Sequence, residues 1–273
     1  MINDIILNPK FIILYDEKSC KEFNIEEIFQ YLKRKTSKSI EKRPDFFDNI
    51  LSKNFQSKKE NMIDFLSKKM ASLRVSNIER LHEETEPLLQ EIRFEIKNIK
   101  ETSKKISGLL YEGFKLQSFF HELIPEKERN LNYLHVIFTN QLIVTWDYRD
   151  RRYHLRTSVY GFPSIISLTG IVEAPAKPRE YYILKQALYN EDRMKELKER
   201  FKGRFIDYGD PAINEIVKGY VMQALFYYLL GNPFCKNRHC RLFNAHWQEE
   251  MIECQLKSPT EFCSFHEKIL NHF

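Results

Sequence analysis

The feature that most constrains this chain is a group of three cysteines and one histidine close to its C-terminus. Cys235 and Cys240 form a C-x4-C pair, and after twenty-two residues Cys263 and His266 form a C-x2-H pair. Two close ligand pairs separated by a longer segment are typical of a closed tetrahedral zinc site. The pattern therefore predicts a structural zinc ion that ties the C-terminal tail to the segment before it. The alternative is a set of four buried residues that bind no metal.

The other cysteines and one nearby histidine qualify this prediction. His239 and Cys254 are the alternative ligands if one of the four is misassigned. Cys20 and Cys254 fit no ligand spacing, and a buried thiol is the default interpretation for both. The chain has five cysteines in all, and in a reducing compartment metal ligands and core residues are favoured over disulfides.

A helix that runs directly into the cysteines is predicted from Asp210 to Leu230. Asp210 is a typical N-cap followed by a proline, and Gly231 is a typical helix end with Pro233 just beyond it. The run from Leu225 to Leu230 is apolar on all sides, which is typical of a helix buried by packing. We therefore expect this helix to lie in the core.

The spacing after this helix carries a resemblance to a known family. Archaemetzincins, zinc metallopeptidases of the metzincin type, carry H-E-x-x-H-x-x-G-x3-C-x4-C-x-M and, after a gap, C-x-x-C. In this chain Gly231, Cys235 and Cys240 match the G-x3-C-x4-C portion, and Leu242 stands in place of the Met. The later C-x2-H pair stands in place of the last two cysteines. The chain resembles archaemetzincins over about residues 130 to 270, which implies a metzincin-like fold.

The same alignment shows that this chain lacks the catalytic residues of that family. With Gly231 aligned, the positions of the family's His, Glu, His and His hold Ala224, Leu225, Tyr228 and Phe234. Peptide hydrolysis of this type needs imidazoles that bind zinc and a glutamate that deprotonates water. Of the four residues only Tyr228 could act, as a weak ligand or an acid. The resemblance therefore implies a degenerate peptidase site.

Two further segments make the chain resemble most closely an archaeal family that is designated as metallopeptidases but lacks H-E-x-x-H. The first, residues 173–182, places Glu173, Lys177, Arg179 and Glu180 around two prolines. The two prolines predict that residues 170–182 form a loop or strand exit and not a helix. In metzincin-like folds this region borders the substrate cleft, so the resemblance implies that the four residues form a binding edge. A rigid surface loop with weak ion pairs is the alternative.

The second segment, residues 244–250, offers a set of relocated catalytic residues. His246 and Glu250 are four residues apart, hence on one helical face, and Glu249 lies beside them. The arrangement H-x-x-E-E resembles the inverted zinc motif H-x-x-E-H with a Glu in place of the second His. The alternative is a capped helix start with surface carboxylates.

The rest of the chain predicts an α+β fold. Phe11–Tyr15, a helix capped by Asn24 and a strand from Ser39 form a β-α-β opening. From Asp45 to Leu123 the pattern is helical. Short β-branched runs between residues 134 and 169 then predict a small sheet whose strands are largely antiparallel.

The longest element predicted in the first half is an amphipathic helix that starts near Ser76. Its apolar positions recur through Ile106 and Leu110 at steps of three, four or seven residues. Pro87 is expected either to kink this helix or to shift its start to a later residue.

The predicted fold is thus a metzincin-like core with a small mixed sheet, an active-site-type helix and a C-terminal structural zinc site, plus a helical N-terminal region. We predict a β-α unit and helical region at 1–125 and a zinc-stapled, archaemetzincin-like domain at 126–273. The two parts are also able to pack as one domain.

Charge and hydropathy argue against nucleic acids and membranes as partners of this chain. The formal net charge of +5, from 43 basic and 38 acidic residues, is mild compared with the concentrated basic face of nucleic-acid-binding proteins. The basic run from Lys33 to Arg43 lacks interleaved aromatics, so a solvated helix end is favoured over a phosphate-binding patch. The chain shows neither a signal peptide nor an apolar run near the roughly eighteen residues of a membrane span. We therefore expect a cytoplasmic protein that does not contact membranes.

Three hypotheses for the function remain open. The first is a zinc-binding pseudo-peptidase whose cleft recognises a peptide or protein without cutting it. The second is a metal-dependent hydrolase or peptidase whose catalytic residues are relocated to His246, Glu249 and Glu250. The third is a nucleic-acid-associated protein that uses the basic run from Lys33 to Arg43 and the long amphipathic helix.

Overall fold

The computed structural model describes residues 7–52, 56–101, 108–186 and 191–272, which form an α+β fold. The strands in these ranges are β1 (Phe11–Tyr15), β2 (Ser39–Arg43), β3 (Arg74–Val75), β4 (Leu110–Glu112), β5 (Tyr133–Thr139), β6 (Leu142–Asp147), β7 (Arg152–Arg156), β8 (Ser158–Val159) and β9 (Ser164–Ser167). The α-helices are α1 (Ile25–Lys35), α2 (Phe46–Leu51), α3 (Gln56–Ser72), α4 (Leu89–Lys100), α5 (Gly113–Leu123), α6 (Leu168–Glu173), α7 (Arg179–Gln186), α8 (Glu191–Arg200), α9 (Ile213–Leu230), α10 (Gln248–Ile252) and α11 (Ser264–Leu270).

The strands form two mixed sheets. The larger has the order β2-β1-β5-β9-β8, in which all neighbours are parallel except β8 and β9. The smaller has the order β3-β4-β6-β7, with a parallel central pair between two antiparallel pairs. The mixed character is confirmed, but the prediction of one largely antiparallel sheet between residues 134 and 169 is wrong. The β6–β7 hairpin belongs to the other sheet, and that long excursion lets β5 and β9 pair in parallel.

The β-α-β opening is confirmed, and its local cause is visible. The Asn24 side chain accepts a hydrogen bond from the Glu26 N–H at 3.0 Å and so caps α1. Ile28 and Leu32 of α1 are fully buried, and β1 and β2 run parallel beside each other.

The long helix predicted from Ser76 is shorter than expected. It is α4, which begins at Leu89, two residues after Pro87, so the expected shift of its start is confirmed. Leu110 lies in β4, and Ile106 lies outside the described residues. The Glu95 carboxylate of α4 pairs with Arg74 at 2.5 Å and fixes the helix to the smaller sheet.

The helix before the cysteines, α9, lies in the core as predicted. It begins at Ile213, three residues after the predicted N-cap Asp210, and ends at Leu230, where Gly231 adopts the left-handed conformation with φ of 68°. Its buried residues pack with those of α1, β5 and β9 in the largest hydrophobic cluster. Within the described ranges, α9 and every other helix lack the combination of length and apolarity that a membrane crossing needs.

The prediction that residues 170–182 form a loop or strand exit and not a helix is wrong at both ends. Helix α6 extends to Glu173 and α7 begins at Arg179, so only the five residues between them are non-helical. Pro178 is compatible with this arrangement because a proline just before the first helical turn costs no intrahelical hydrogen bond.

Both sheets combine strands from the two sides of the boundary predicted at residue 125. Strand β1 pairs with β5 over five residues, and β4 pairs with β6 over three. The division at residue 125 stays a prediction about folding units.

Candidate functional site

The four residues of the predicted zinc site lie together. Their ligand atoms are all within 4.8 Å of one another. Cys263 Sγ lies 3.9 Å from Cys235 Sγ, and His266 Nδ1 lies 3.1 Å from Cys263 Sγ and 3.7 Å from Cys240 Sγ. Tetrahedral zinc, with bonds of about 2.3 Å to sulfur and about 2.0 Å to nitrogen, separates its ligand atoms by about 3.5–3.8 Å. The three thiols and the imidazole therefore fit one zinc ion.

The two ligand pairs come from separate segments with different local structure. Cys235 and Cys240 lie in the loop after α9, where the Cys235 N–H donates to the Leu242 carbonyl at 2.8 Å. The Asn237 N–H donates to Cys235 Sγ at 3.3 Å, a contact that stabilises a thiolate. Cys263 precedes α11 and His266 lies within it. A metal held by all four residues would therefore join α11 to the loop.

The surroundings of this cluster favour neutral side chains. Burial, with the neighbouring thiols, raises the pKa of Cys240 to about 12, and burial lowers the pKa of His266. A bound dication would reverse the first effect, because it stabilises thiolates directly. The two alternative ligands lie elsewhere: His239 is exposed, and the Cys254 thiol donates to the Met251 carbonyl at 3.5 Å.

The positions at which the resembled family holds its catalytic zinc carry no ligand set here. Ala224, Leu225 and Tyr228 are buried in the core. The Tyr228 hydroxyl donates to the Tyr133 carbonyl at 2.6 Å, and its ring packs against Phe162. Tyr228 is thereby engaged in the core, and its role as a weak ligand or acid stays a prediction.

A cavity of about 420 Å³ lies beside another face of α9. The helix presents Tyr220, Gln223 and Tyr227 to it, which are three and four residues apart and hence on one face. Strands β7 and β8 and the loop around the Cys235–Cys240 pair provide most of the other walls. The lining consists of Phe114, Thr145, 155–160, Ala174, Pro175, Tyr220, Gln223, Tyr227, Pro233, Phe234, 243–246 and Gln255.

The polar groups of α9 and its neighbours in this cavity are connected by hydrogen bonds. The Tyr160 hydroxyl donates to Gln223 Oε1 at 2.5 Å, and Gln223 Nε2 donates to the Phe243 carbonyl at 3.2 Å. The Tyr220 hydroxyl lies 3.4 Å from the Met251 sulfur. Burial raises the pKa values of Tyr160 and Tyr220, so both phenols stay neutral at physiological pH.

One lining side chain, that of Arg156, carries a permanent charge. Arg156 is the last residue of β7, and its Nε donates to the Thr145 hydroxyl at 2.7 Å. The described residues that line the cavity include no aspartate or glutamate. The cavity is therefore positively charged, with hydroxyl and amide groups around the charge.

Of the relocated catalytic candidates, only His246 lines the cavity. Glu250 Oε2 accepts the backbone N–H groups of His246 at 3.0 Å and Trp247 at 3.2 Å, so this carboxylate caps α10. Glu249 pairs with Arg204 at 2.7 Å. Both carboxylates are thus engaged: Glu250 with the backbone of the helix start, which includes the His246 N–H, and Glu249 with Arg204. Their catalytic role with His246 stays a prediction.

The four residues of the predicted binding edge do not line the cavity, although Ala174 and Pro175 between them do. The Lys177 ammonium lies 4.7 Å from the Phe205 ring centroid, and burial lowers the pKa of this amine. Arg179 stacks over Trp247, and Glu180 pairs with Arg204 at 3.5 Å. Glu173 ends α6 with its side chain exposed. Their role as a binding edge stays a prediction.

A second group of metal-ligating residue types lies on the β6–β7 turn. It consists of Asp147, Asp150 and His154, and His154 Nε2 lies 2.9 Å from Asp150 Oδ2. Asp147 Oδ1 accepts the backbone N–H groups of Arg149 and Asp150, which is ordinary capping of a turn. The group is therefore explained by the hairpin itself.

Sequence reasoning missed the residues of α9 that face the cavity. Aligning the family motif directed attention to positions 224, 225 and 228, one residue away from the face that lines the cavity. The available signal was the recurrence of hydrogen-bonding side chains at Tyr220, Gln223 and Tyr227 within an otherwise apolar helix.

Comparison with known protein families gives one match. The sequence model of the family described as "Probable metallopeptidase family (DUF6775)" matches residues 8–273. Among curated proteins and among solved structures, no significant match is found.

Proposed function

The chain belongs to the probable metallopeptidase family, and from this premise we propose that it binds a peptide or protein segment in its cavity without hydrolysing it. In this proposal the chain is a zinc-binding pseudo-peptidase, and the single zinc ion is structural. The degenerate archaemetzincin-like site of the sequence analysis is part of the same proposal.

One observation carries the proposal, namely the side chains that α9 turns toward the cavity. They are two phenols and an amide, Tyr220, Gln223 and Tyr227. Metal-assisted peptide hydrolysis needs a metal held at an open coordination position and a carboxylate that takes a proton from water. Phenols and amides instead form the hydrogen bonds that orient a bound ligand.

The zinc ion would be held by Cys235, Cys240, Cys263 and His266. Four protein ligands complete a tetrahedral shell, which leaves no position for water or substrate. When bound there, zinc would supply folding free energy to the C-terminal segment and no Lewis-acid catalysis.

Metal analysis of the purified protein tests the structural role of zinc. We expect about one zinc per chain, and we expect the Cys263→Ser variant to lose it. Two zinc ions per chain, with the second retained in Cys263→Ser, would contradict the assignment of a single structural metal. A fully folded, metal-free wild-type protein would contradict zinc binding itself.

Parallel binding and cleavage measurements test the cavity. Fluorogenic peptide mixtures should bind saturably to the wild-type protein and remain uncut after prolonged incubation. The Gln223→Ala variant should bind more weakly, because it removes the link between Tyr160 and the Phe243 carbonyl. Cleavage that a chelator abolishes would show a peptidase and overturn the proposal.

The hydrolase alternative has one observation in its favour, the position of His246 in the cavity wall. Glu249 and Glu250 already pair with Arg204 and the α10 backbone. If cleavage is observed, its loss in His246→Ala but not in Glu249→Gln would support a catalytic role for the histidine alone. Loss in both variants would support the relocated set.

The nucleic-acid alternative is weakened because residues of the basic run form ion pairs with glutamates elsewhere in the chain. Lys35 pairs with Glu261, Lys42 with Glu26, and Arg43 with Glu128. Charges that are already neutralised release few counterions from a phosphate backbone. Salt-sensitive binding to mixed DNA or RNA would support this hypothesis, and its absence would exclude it.

A further inference from the structure

Arg156 differs from the other shielded arginines of the described residues in having no carboxylate partner. Five arginines in these ranges are buried or half-buried, and four of them pair with a glutamate. The pairs are Arg43 with Glu128, Arg74 with Glu95, Arg204 with Glu249 and Arg241 with Glu215. The terminal N–H groups of Arg156 are not among the fully buried side-chain atoms that lack a partner. They are therefore accessible to an anion that enters the cavity, and such an anion would supply the counter-charge that the other four arginines find in a glutamate.

The contacts of Arg156 hold its guanidinium in place and leave its terminal N–H groups available to a ligand. Its Nε donates to the Thr145 hydroxyl at 2.7 Å, and no other hydrogen bond joins it to a described residue. Thr145 and Arg156 lie on neighbouring strands of the smaller sheet, in a hydrogen-bonded ladder that fixes their distance. The guanidinium is thus prepared for a planar anion, which it binds through two parallel N–H groups.

The walls around Arg156 indicate what the rest of the ligand contains. Six aromatic side chains line the cavity and offer apolar surface to a ligand: Phe114, Tyr160, Tyr220, Tyr227, Phe234 and Phe243. Thr157 and Ser158 add hydroxyl groups that donate or accept hydrogen bonds. A ligand with one carboxylate, backbone amides and an apolar side chain satisfies all three kinds of group.

On this basis we propose that the cavity is a subsite for the free C-terminal carboxylate of a peptide, with Arg156 as its anchor. The inference rests on the proposed peptide-binding function and names the part of the peptide that is recognised. A volume of about 420 Å³ lies within the roughly 300–1,000 Å³ of small-ligand clefts, so it holds the end of a chain and not a continuous folded surface. The end of a peptide that carries a negative charge is its C-terminus.

The test compares two libraries of N-acetylated tetrapeptides made from alanine, leucine and phenylalanine. One library ends in a free carboxylate and the other in an amide, so the terminal carboxylate is the only charge that differs. Isothermal titration of the wild-type protein should show at least about 10-fold tighter binding of the acids, the usual effect of a charge-assisted hydrogen bond. A third library, amidated but with one internal glutamate, should bind no better than the plain amides.

Two variants locate the effect. Arg156→Gln should weaken binding of the acid library about 10- to 100-fold and remove the preference over the amides. Arg152→Gln is the matched control, because Arg152 lies on the same strand and face but is exposed and outside the cavity. It should leave both affinities unchanged. Equal melting temperatures of the two variants exclude a general loss of structure.

The outcomes separate this inference from the proposed function. Equal binding of acids and amides, unaffected by Arg156→Gln, would overturn the carboxylate subsite and leave peptide binding in place. Preferential binding of the internal glutamate library would overturn the C-terminal assignment. Absence of binding of all three libraries would overturn both proposals. If Arg156→Gln does not fold, the comparison of the libraries on the wild-type protein decides alone.

Discussion

Gly219 lies in the middle of α9, a position where glycine is normally unfavourable by about 1 kcal/mol relative to alanine. The reason for it is tertiary. A Cβ at this position would lie 1.9 Å from Oε1 of Gln255, which is buried and held by a hydrogen bond from its Nε2 to the Arg241 carbonyl at 2.8 Å. The glycine thus allows the segment after α10 to pack directly on α9.

We expect Gly219→Ala to destabilise the protein by about 2 kcal/mol. The overlap costs up to about 3 kcal/mol, and the better helix propensity of alanine returns about 1 kcal/mol. Chemical denaturation measures the change. The double variant Gly219→Ala/Gln255→Ala is the control, since removing the glutamine side chain should make the alanine harmless. Equal effects of the substitution in both backgrounds would contradict this explanation.

Asp45 is a second residue whose properties depend on distant parts of the chain. Burial, together with the charge of Glu17, raises its pKa from 3.8 to about 7. The carboxylate caps α2 by accepting the backbone N–H groups of Phe47 at 3.0 Å and Asp48 at 3.3 Å. Since the folded-state pKa is the higher one, the folded state holds the extra proton and loses stability as pH rises from about 4 to about 7.

We therefore expect Asp45→Asn to stabilise the protein at pH 8 by about 1–3 kcal/mol and to bring little gain at pH 4. Asparagine keeps the cap, because its side-chain oxygen accepts the same N–H groups. Thermal unfolding across this pH range measures the difference, with Asp64→Asn on the exposed side of α3 as the matched removal of one surface carboxylate. A pH-independent effect of Asp45→Asn would exclude this origin.

At the scale of elements, the C-terminal segment depends on few regular hydrogen bonds. After α9 the chain forms the loop that holds Cys235 and Cys240, the short helix α10 with a π-helical turn, and the seven-residue α11. Apolar contacts join this segment to the core, among them the edge-on packing of His266 against Phe226 at 4.9 Å. Short helices are marginal by themselves, so a zinc ion bound by the Cys–His group would add a cross-link between these elements.

For the zinc-loaded protein we expect Cys240→Ser to cost about 4 kcal/mol or more, since it removes a metal ligand and leaves a hydroxyl in a fully buried place. The loss should be concentrated in the C-terminal segment, as measured by hydrogen exchange. Cys20→Ser, which alters a half-buried cysteine outside the group, should stay within about 1 kcal/mol of wild type. A small effect of Cys240→Ser on zinc-loaded protein would argue against the cross-link.

At the scale of the whole molecule, the two sheets hold the halves of the chain together. Strand β5 is a central strand of the larger sheet, and one of its two neighbours, β1, comes from the N-terminal part. The fragment 126–273 would expose the full edge of β5 and a large part of its apolar face.

We expect this fragment to be aggregated or unfolded when produced alone, and to be recovered in folded form when it is co-expressed with residues 1–125. Circular dichroism and size-exclusion chromatography of the fragment measure the result. A monomeric, cooperatively unfolding fragment 126–273 would instead establish it as an independent domain.

The sequence by itself determined the features that depend on neighbouring residues. The cap at Asn24, the left-handed Gly231 and the spacing of Cys235, Cys240, Cys263 and His266 were all predicted, and the structure brings the four ligand residues together. Caps and close ligand pairs act over a few residues, so their physical cause is contained in the local sequence.

Only the tertiary structure decided which residues meet at the cavity. Because α9 is apolar on nearly all sides, its periodicity does not distinguish the face of Tyr220, Gln223 and Tyr227 from the face of Tyr228. The unpaired state of Arg156 likewise depends on which carboxylates the fold brings near it, and Glu249 and Glu250 are directed elsewhere. Contacts between residues that are far apart in the sequence are fixed by the packing of the whole chain. The composition of the candidate site depends on such contacts.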